Sequence, residues 1–207
     1  MYSVPMALVD FVPVVLFLMA IIVLQKELYY KFLKWQFATF ISGGSMIFIA
    51  GLYKAIYKLL YAAGVCDFER LNLIFFPLQA TGFLIIGFAI MTFLFVREKD
   101  SRMNCSTVAL APAVFSGTMI FVVGMILGVM ALCGALAAIS ARMKRFGTMV
   151  IFIISFIFML TMGYLSTKTF DNELINWVAQ SVNITGQGLF LVGALRLKKA
   201  GLRDFKF

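Results

Sequence analysis

Apolar residues run through this chain in long blocks rather than alternating with polar ones, and most blocks have the length of a membrane crossing, about 20 residues. Val4 to Leu24 forms the first. It has no basic residue before it and no small-x-small cleavage site, and it carries Asp10 and Pro13, so it reads as a retained helix rather than a cleaved leader. A second block starts near Trp35 and continues past Tyr53 to about Tyr61. Its far end carries Lys54 and Lys58, with Tyr53, Tyr57 and Tyr61 at the same helical spacing, which predicts a projecting end with interfacial tyrosines beside snorkelling lysines. The third block runs from about Leu71 to Val96, with Pro77 inside it.

The uncharged stretch from Asn104 to Ser140 is too long for one crossing and barely long enough for two. Its central polar break is Ser116-Gly117-Thr118, and a turn there yields a short fourth helix over 104–116, containing Pro112, and a fifth over 119–140. A sixth is predicted over 148–167 and a seventh over 173–196, followed by a basic tail. The fold class expected is therefore all-α: a polytopic membrane bundle of seven helices, with six plus a reentrant segment as the alternative.

Charge discriminates between the two, because lysine and arginine concentrate in short cytoplasmic loops. With seven spans and the N-terminus outside, the cytoplasmic segments hold Lys26, Lys31, Lys34, Arg97, Lys99, Arg102, Arg142, Lys144, Arg145, Arg196, Lys198, Lys199, Arg203 and Lys206, which is fourteen of the 18 basic residues. A six-span protein with its tail inside retains fewer there. The net charge of +9 is thus explained by membrane topology, and no basic surface domain exists to bind nucleic acid. Positive cytoplasmic loops and small size suit a bacterial inner membrane.

Composition agrees: 63% of residues are hydrophobic, 13% charged, and mean hydropathy is +1.01, against roughly a quarter charged in soluble domains. The absence of histidine excludes a His-ligated haem, a His-containing zinc site and a Ser-His triad. Cys66, Cys105 and Cys133 form no CxxC pair and read as small apolar residues. No dinucleotide, P-loop or HExxH motif is present. No cofactor or metal is expected, and without a convergent nucleophile, base or metal cluster an enzyme is disfavoured.

The sequence also resembles itself. Asp67-x-Glu69-x-x-Asn72 and Gln79-x-Thr81-Gly82 align with Asp171-x-Glu173-x-x-Asn176 and Asn183-x-Thr185-Gly186, a shift of 104 residues (67 to 171). This predicts a 3+1+3 arrangement of direct repeats: residues 1–103, a linker helix over 104–117, and residues 118–207 with the basic tail. Three crossings invert the chain, so a like-oriented copy needs one further crossing between the two. The layout is similar to that of some transporters with parallel repeats, the SWEET group among them, but the likeness is of layout alone and no family is recognised.

Polar groups in hydrocarbon are costly, so their placement points to a site. Asn176, Gln180, Asn183 and Gln187 fall within roughly 60° on one helix face, and Asn72 and Gln79 form a shorter matching stripe. Facing each other, the two stripes make an amide-lined seam that offers donors and acceptors without net charge. These six residues are the candidate contacts to a neutral or zwitterionic solute, and interhelical glue is the competing reading. Asp10, the lone carboxylate within an apolar run, is the candidate coupling acid, although a place near the outer interface also lets it stay hydrated. Asp67, Glu69, Asp171 and Glu173 are accounted for by helix starts. Gly124 and Gly128, continued by Ala131 and Ala135, predict a close helix contact, and Gly82 and Gly186 predict two more. The leading function is a small transporter or facilitator. The alternative is a non-transporting membrane subunit with an accessory, sensory or lipid- or partner-helix-binding role, and a homo-oligomer or a partner membrane protein is a further expectation.

Overall fold

The computed structural model describes residues 4–95, 118–165 and 173–205. These form seven helices: α1 (Val4–Val9), α2 (Phe11–Leu28), α3 (Lys34–Ala62), α4 (Glu69–Phe95), α5 (Thr118–Arg142), α6 (Phe146–Leu165) and α7 (Glu173–Lys199). With α1 and α2 taken as one span, six helices are long and apolar enough to cross a membrane, and the described residues include no strand. Every element among the described residues is helical, and their long apolar helices mark a membrane protein. The predicted helix over 104–116 lies outside the described residues.

The break between α1 and α2 has a local cause. Pro13 lacks an N–H and its ring crowds the carbonyl four residues back, that of Val9, the last residue of α1. Asp10 sits in this break, turned into the bundle and 8% exposed. Pro77 lies inside α4, which continues through it. Three helices end in the same way, with an amide bonding back to the carbonyl five residues earlier: Val65 to Leu60, Arg145 to Ser140 and Leu202 to Leu197. Glycine takes the left-handed position in two of them, Gly64 (φ 67°) and Gly201 (φ 79°), and Lys144 (φ 56°) takes it in the third. Lys144→Gly is therefore expected to raise stability by about 1 kcal/mol, read as a higher unfolding midpoint in detergent.

Close contacts at glycines give the direction of each packing. A Cβ on Gly51 would meet Val14 and one on Gly44 would meet Ile21, so α2 and α3 are antiparallel. Gly43 lies against Ile86 and Gly82 against Ile47, so α3 and α4 are antiparallel too. Gly163 meets Met125 across α5 and α6, while Gly186 meets Phe158 and Gly193 meets Phe152 across α6 and α7. The contact between α4 and α5 differs. Gly124 lies against Ala80 and Leu84, Gly128 against Phe83 and Leu84, and Gly87 against Ala131, so the two helices run parallel. The small-residue stripe of α5 thus forms the close contact expected of it.

Each span packs on its sequence neighbours, and α7 packs on α2, closing a ring. α1, α4, α5 and α7 begin at one face of this ring, the N-terminal face. Residues 29–33, 143–145 and 200–205 lie at the other, the basic face. There the tail docks on the first turn: Leu202 is fully buried, Lys31 Nζ donates to the Phe205 carbonyl at 2.6 Å, and Arg203 lies 4.6 Å from the centre of the Tyr30 ring. Burial pushes the Lys31 ammonium below the usual lysine range, opposed by Asp204. Residues 4 and 205 are therefore at opposite ends of the bundle.

Candidate functional site

A cavity of about 100 Å³ lies on the axis of the ring, and every span contributes to its wall. It occupies the half nearer the N-terminal face, where α3 and α6 end and the other spans begin. Three levels can be distinguished by following the helices inward.

The first level is charged. Lys58 Nζ lies 2.6 Å from Asp10 Oδ2, and the two side chains retain 15% and 10% of their exposure. One turn deeper on α3, Lys54 Nζ stands 4.0 Å above the centre of the Phe75 ring. The inward face of α3 is set by spacing: Gly51, Lys54, Ala55 and Lys58 fall on one helical stripe, and all four line the cavity. Tyr53 and Tyr57 each precede one of these lysines by one residue and are rotated from it by about 100°. The lysines expected to snorkel outward therefore point inward, because Asp10 gives one of them a counter-charge there and Phe75 gives the other a π face.

The second level carries amides. Gln79 from α4 and Asn183 and Gln187 from α7 line the cavity. Gln187 Oε1 is buried and has no hydrogen-bond partner among the described residues. α4 and α7 do not pack extensively against each other, so Gln79 and the pair Asn183 and Gln187 meet through the cavity rather than in a direct helix contact. The remaining candidates lie elsewhere. Asn72 and Asn176 are half-buried outside the cavity wall, and Gln180 is 3% exposed with its Nε2 unpartnered.

The third level is apolar and closes toward the basic face. Phe17 packs edge-on to Phe83 at 6.1 Å and stacks on Phe190 at 6.0 Å, while Ile47, Met125, Val129 and Met159 complete the floor. Asp10 is not left in bulk water: it lines the cavity and pairs with Lys58. Lys54 and Lys58 are site residues that the polar pattern of the sequence does not mark. The signal that marks them is their position in register with Gly51 and Ala55, small residues that face a packed interior.

Chemically, the cavity offers a lysine, Lys54, that forms no ion pair among the described residues, three primary amides and an apolar floor. Among the described residues no cluster of metal-ligating side chains exists. No protein-family model, curated protein or solved structure matches the chain, so its function is read from this geometry.

Proposed function

We propose that the protein is a small transporter or facilitator in which two like-oriented three-helix units enclose a polar solute and rock against each other. The observation that carries this reading is the cavity itself: Gln79, Asn183 and Gln187 converge from two helices onto a space bounded by all six spans. Glue amides would be expected to satisfy one another, yet Gln187 Oε1 has no hydrogen-bond partner among the described residues.

The repeat finds support in corresponding contacts. A shift of 112 residues, eight more than 104 because α3 has extra turns near Lys54 to Ala62, brings the start of α3 (34) onto that of α6 (146), and 104 brings α4 (69) onto α7 (173). The same shifts pair Pro13 with Met125, Phe17 with Val129, Ile47 with Met159, Gly51 with Gly163 and Gln79 with Asn183, all of them cavity-lining. Gly43 approaches the Gly82 carbonyl, and its counterpart Ser155 donates to the Gly186 carbonyl at 2.9 Å. The unit boundaries then fall at α4–α5 and α7–α2. Because α4 and α5 are parallel, the chain between them returns from the basic to the N-terminal face. A short connecting span over 104–117 would supply that return and bring the number of crossings to seven. By the positive-inside tendency the basic face is cytoplasmic, and the membrane is proposed to be a bacterial inner membrane.

The test is thiol labelling in a background lacking Cys66, Cys105 and Cys133. Asn183→Cys in sealed vesicles is expected to react with a membrane-impermeant thiol reagent from both sides. Val150→Cys, 46% exposed on the outer surface of α6, is expected not to react. Labelling of Asn183→Cys from one face alone would favour a non-transporting subunit, which the aromatic floor at Phe17, Phe83 and Phe190 suits. No labelling from either face would overturn the solute site.

A further inference from the structure

The upper level of the cavity is not neutral. Asp10, Lys54 and Lys58 all line it, and the single carboxylate is taken by Lys58 at 2.6 Å. Lys54 forms no ion pair among the described residues; its ammonium rests on the Phe75 ring. A cation inside a membrane span is costly without a partner, and an aromatic face is a weaker counterweight than an anion. Lys58, four residues further along the same helix face, adds like-charge repulsion.

We propose that Lys54 is an anion seat, and that the solute taken by the cavity is a small monocarboxylate. The inference rests on reading the cavity as a solute site and specifies the chemistry of what enters it. A single negative charge matches the single cavity lysine left outside an ion pair among the described residues. A dianion such as phosphate would find too few donors at this level, since Lys58 is already engaged by Asp10. Apart from the amides of Gln79, Asn183 and Gln187, the walls below Lys54 are apolar: Phe75, Phe48, Ile47 and Phe17 on one side and the α5 and α6 methionines on the other. They accept a short hydrocarbon body but not a second charge. Size sets the scale, because about 100 Å³ is less than the ~150 Å³ that admits benzene, so the body is a few carbons long. Lys54 lies seven residues nearer the N-terminal face than Ile47, or about 10 Å. A carboxylate held there leaves the amides of Gln79 and Asn183 as the next polar contacts inward.

The experiment is thermal unfolding of the purified full chain in detergent, in a chloride-free sulfate buffer, titrated with propionate, propionamide and chloride. Propionate is expected to raise the unfolding midpoint saturably, and its uncharged isostere propionamide is not. Lys54→Gln is expected to weaken the propionate response about tenfold or more, as loss of a charge-assisted contact requires, whereas Lys54→Arg keeps it. If Lys54→Gln fails to fold, the comparison of propionate with propionamide on the unaltered chain decides alone. An equal response to propionamide would overturn the anion seat while leaving a neutral-solute cavity. An equal response to chloride would overturn the carboxylate assignment, as would no response to propionate. Labelling at Asn183→Cys is independent of these outcomes, so failure of the cavity reading and failure of the anion seat are separable.

Discussion

Gly128→Leu is expected to leave no correctly assembled protein. A Cβ at this position would lie 2.4 Å from the Phe83 carbonyl carbon and 2.6 Å from Leu84 N, atoms of the α4 backbone that have no side-chain freedom to yield. Overpacking a core with single methylenes costs about 1–3 kcal/mol. Here a whole side chain would force the two helices apart along the parallel contact, so the loss should exceed about 3 kcal/mol. Gly134, two turns away on the same helix, provides the control. It is exposed, and nothing lies within 4 Å of its Cβ position. Gly134→Leu is expected to change stability by no more than about 0.5 kcal/mol. Unfolding midpoints and size-exclusion profiles in detergent check both, and equal behaviour of the two variants would contradict the packing described for α4 and α5.

That contact also shows how far the sequence reaches. The spans were legible because membrane-length apolar blocks bounded by charge have few alternative readings, and the observed helices start and end within a few residues of those expected. The Gly124, Gly128, Ala131 stripe was legible as a close contact, but its partner was not, because small residues advertise only that some backbone comes near. Hence the contact between α4 and α5, rather than their shared direction, and the closure of the ring through α7 and α2 came from the structure alone.

Asp10→Asn is expected to be the most damaging single change in the cavity. Removing one partner of a buried ion pair costs about 3–5 kcal/mol. The Asp10–Lys58 pair keeps 10% and 15% of its exposure, which places the loss near the lower end, about 3 kcal/mol. Asp10→Asn leaves Lys54 and Lys58 facing the cavity with no described carboxylate between them. Lys58→Met should cost less, because Lys54 remains to balance Asp10. The double variant Asp10→Asn/Lys58→Met is expected to recover most of the loss, the signature of direct coupling. Unfolding midpoints of the three proteins check the order, and a double variant that loses the sum of the two singles would contradict the pairing.

Only part of this site was readable beforehand. Asn183 and Gln187 stand out because amides are rare in hydrocarbon, and Gln79 stands out through its repeat partner. Asn72, Asn176 and Gln180 share their stripes but miss the cavity: they lie nearer the N-terminal face than Gln79, Asn183 and Gln187, and sharing a stripe does not by itself place a side chain in the wall. Lys54 and Lys58 were misjudged for a different reason. Near a helix end, a long cationic side chain reaches water or interior with equal ease, and what decides is Asp10, placed by the Pro13 break on another helix.

The placement of the two chain ends tests the like-oriented three-helix units most directly. With epitope tags at both termini and protease added to sealed vesicles of known orientation, one tag should be cleaved and the other protected, the pattern reversing in inverted vesicles. Cleavage of both tags from the same side would contradict an arrangement in which α4 and α5 are parallel and residues 4 and 205 lie at opposite faces.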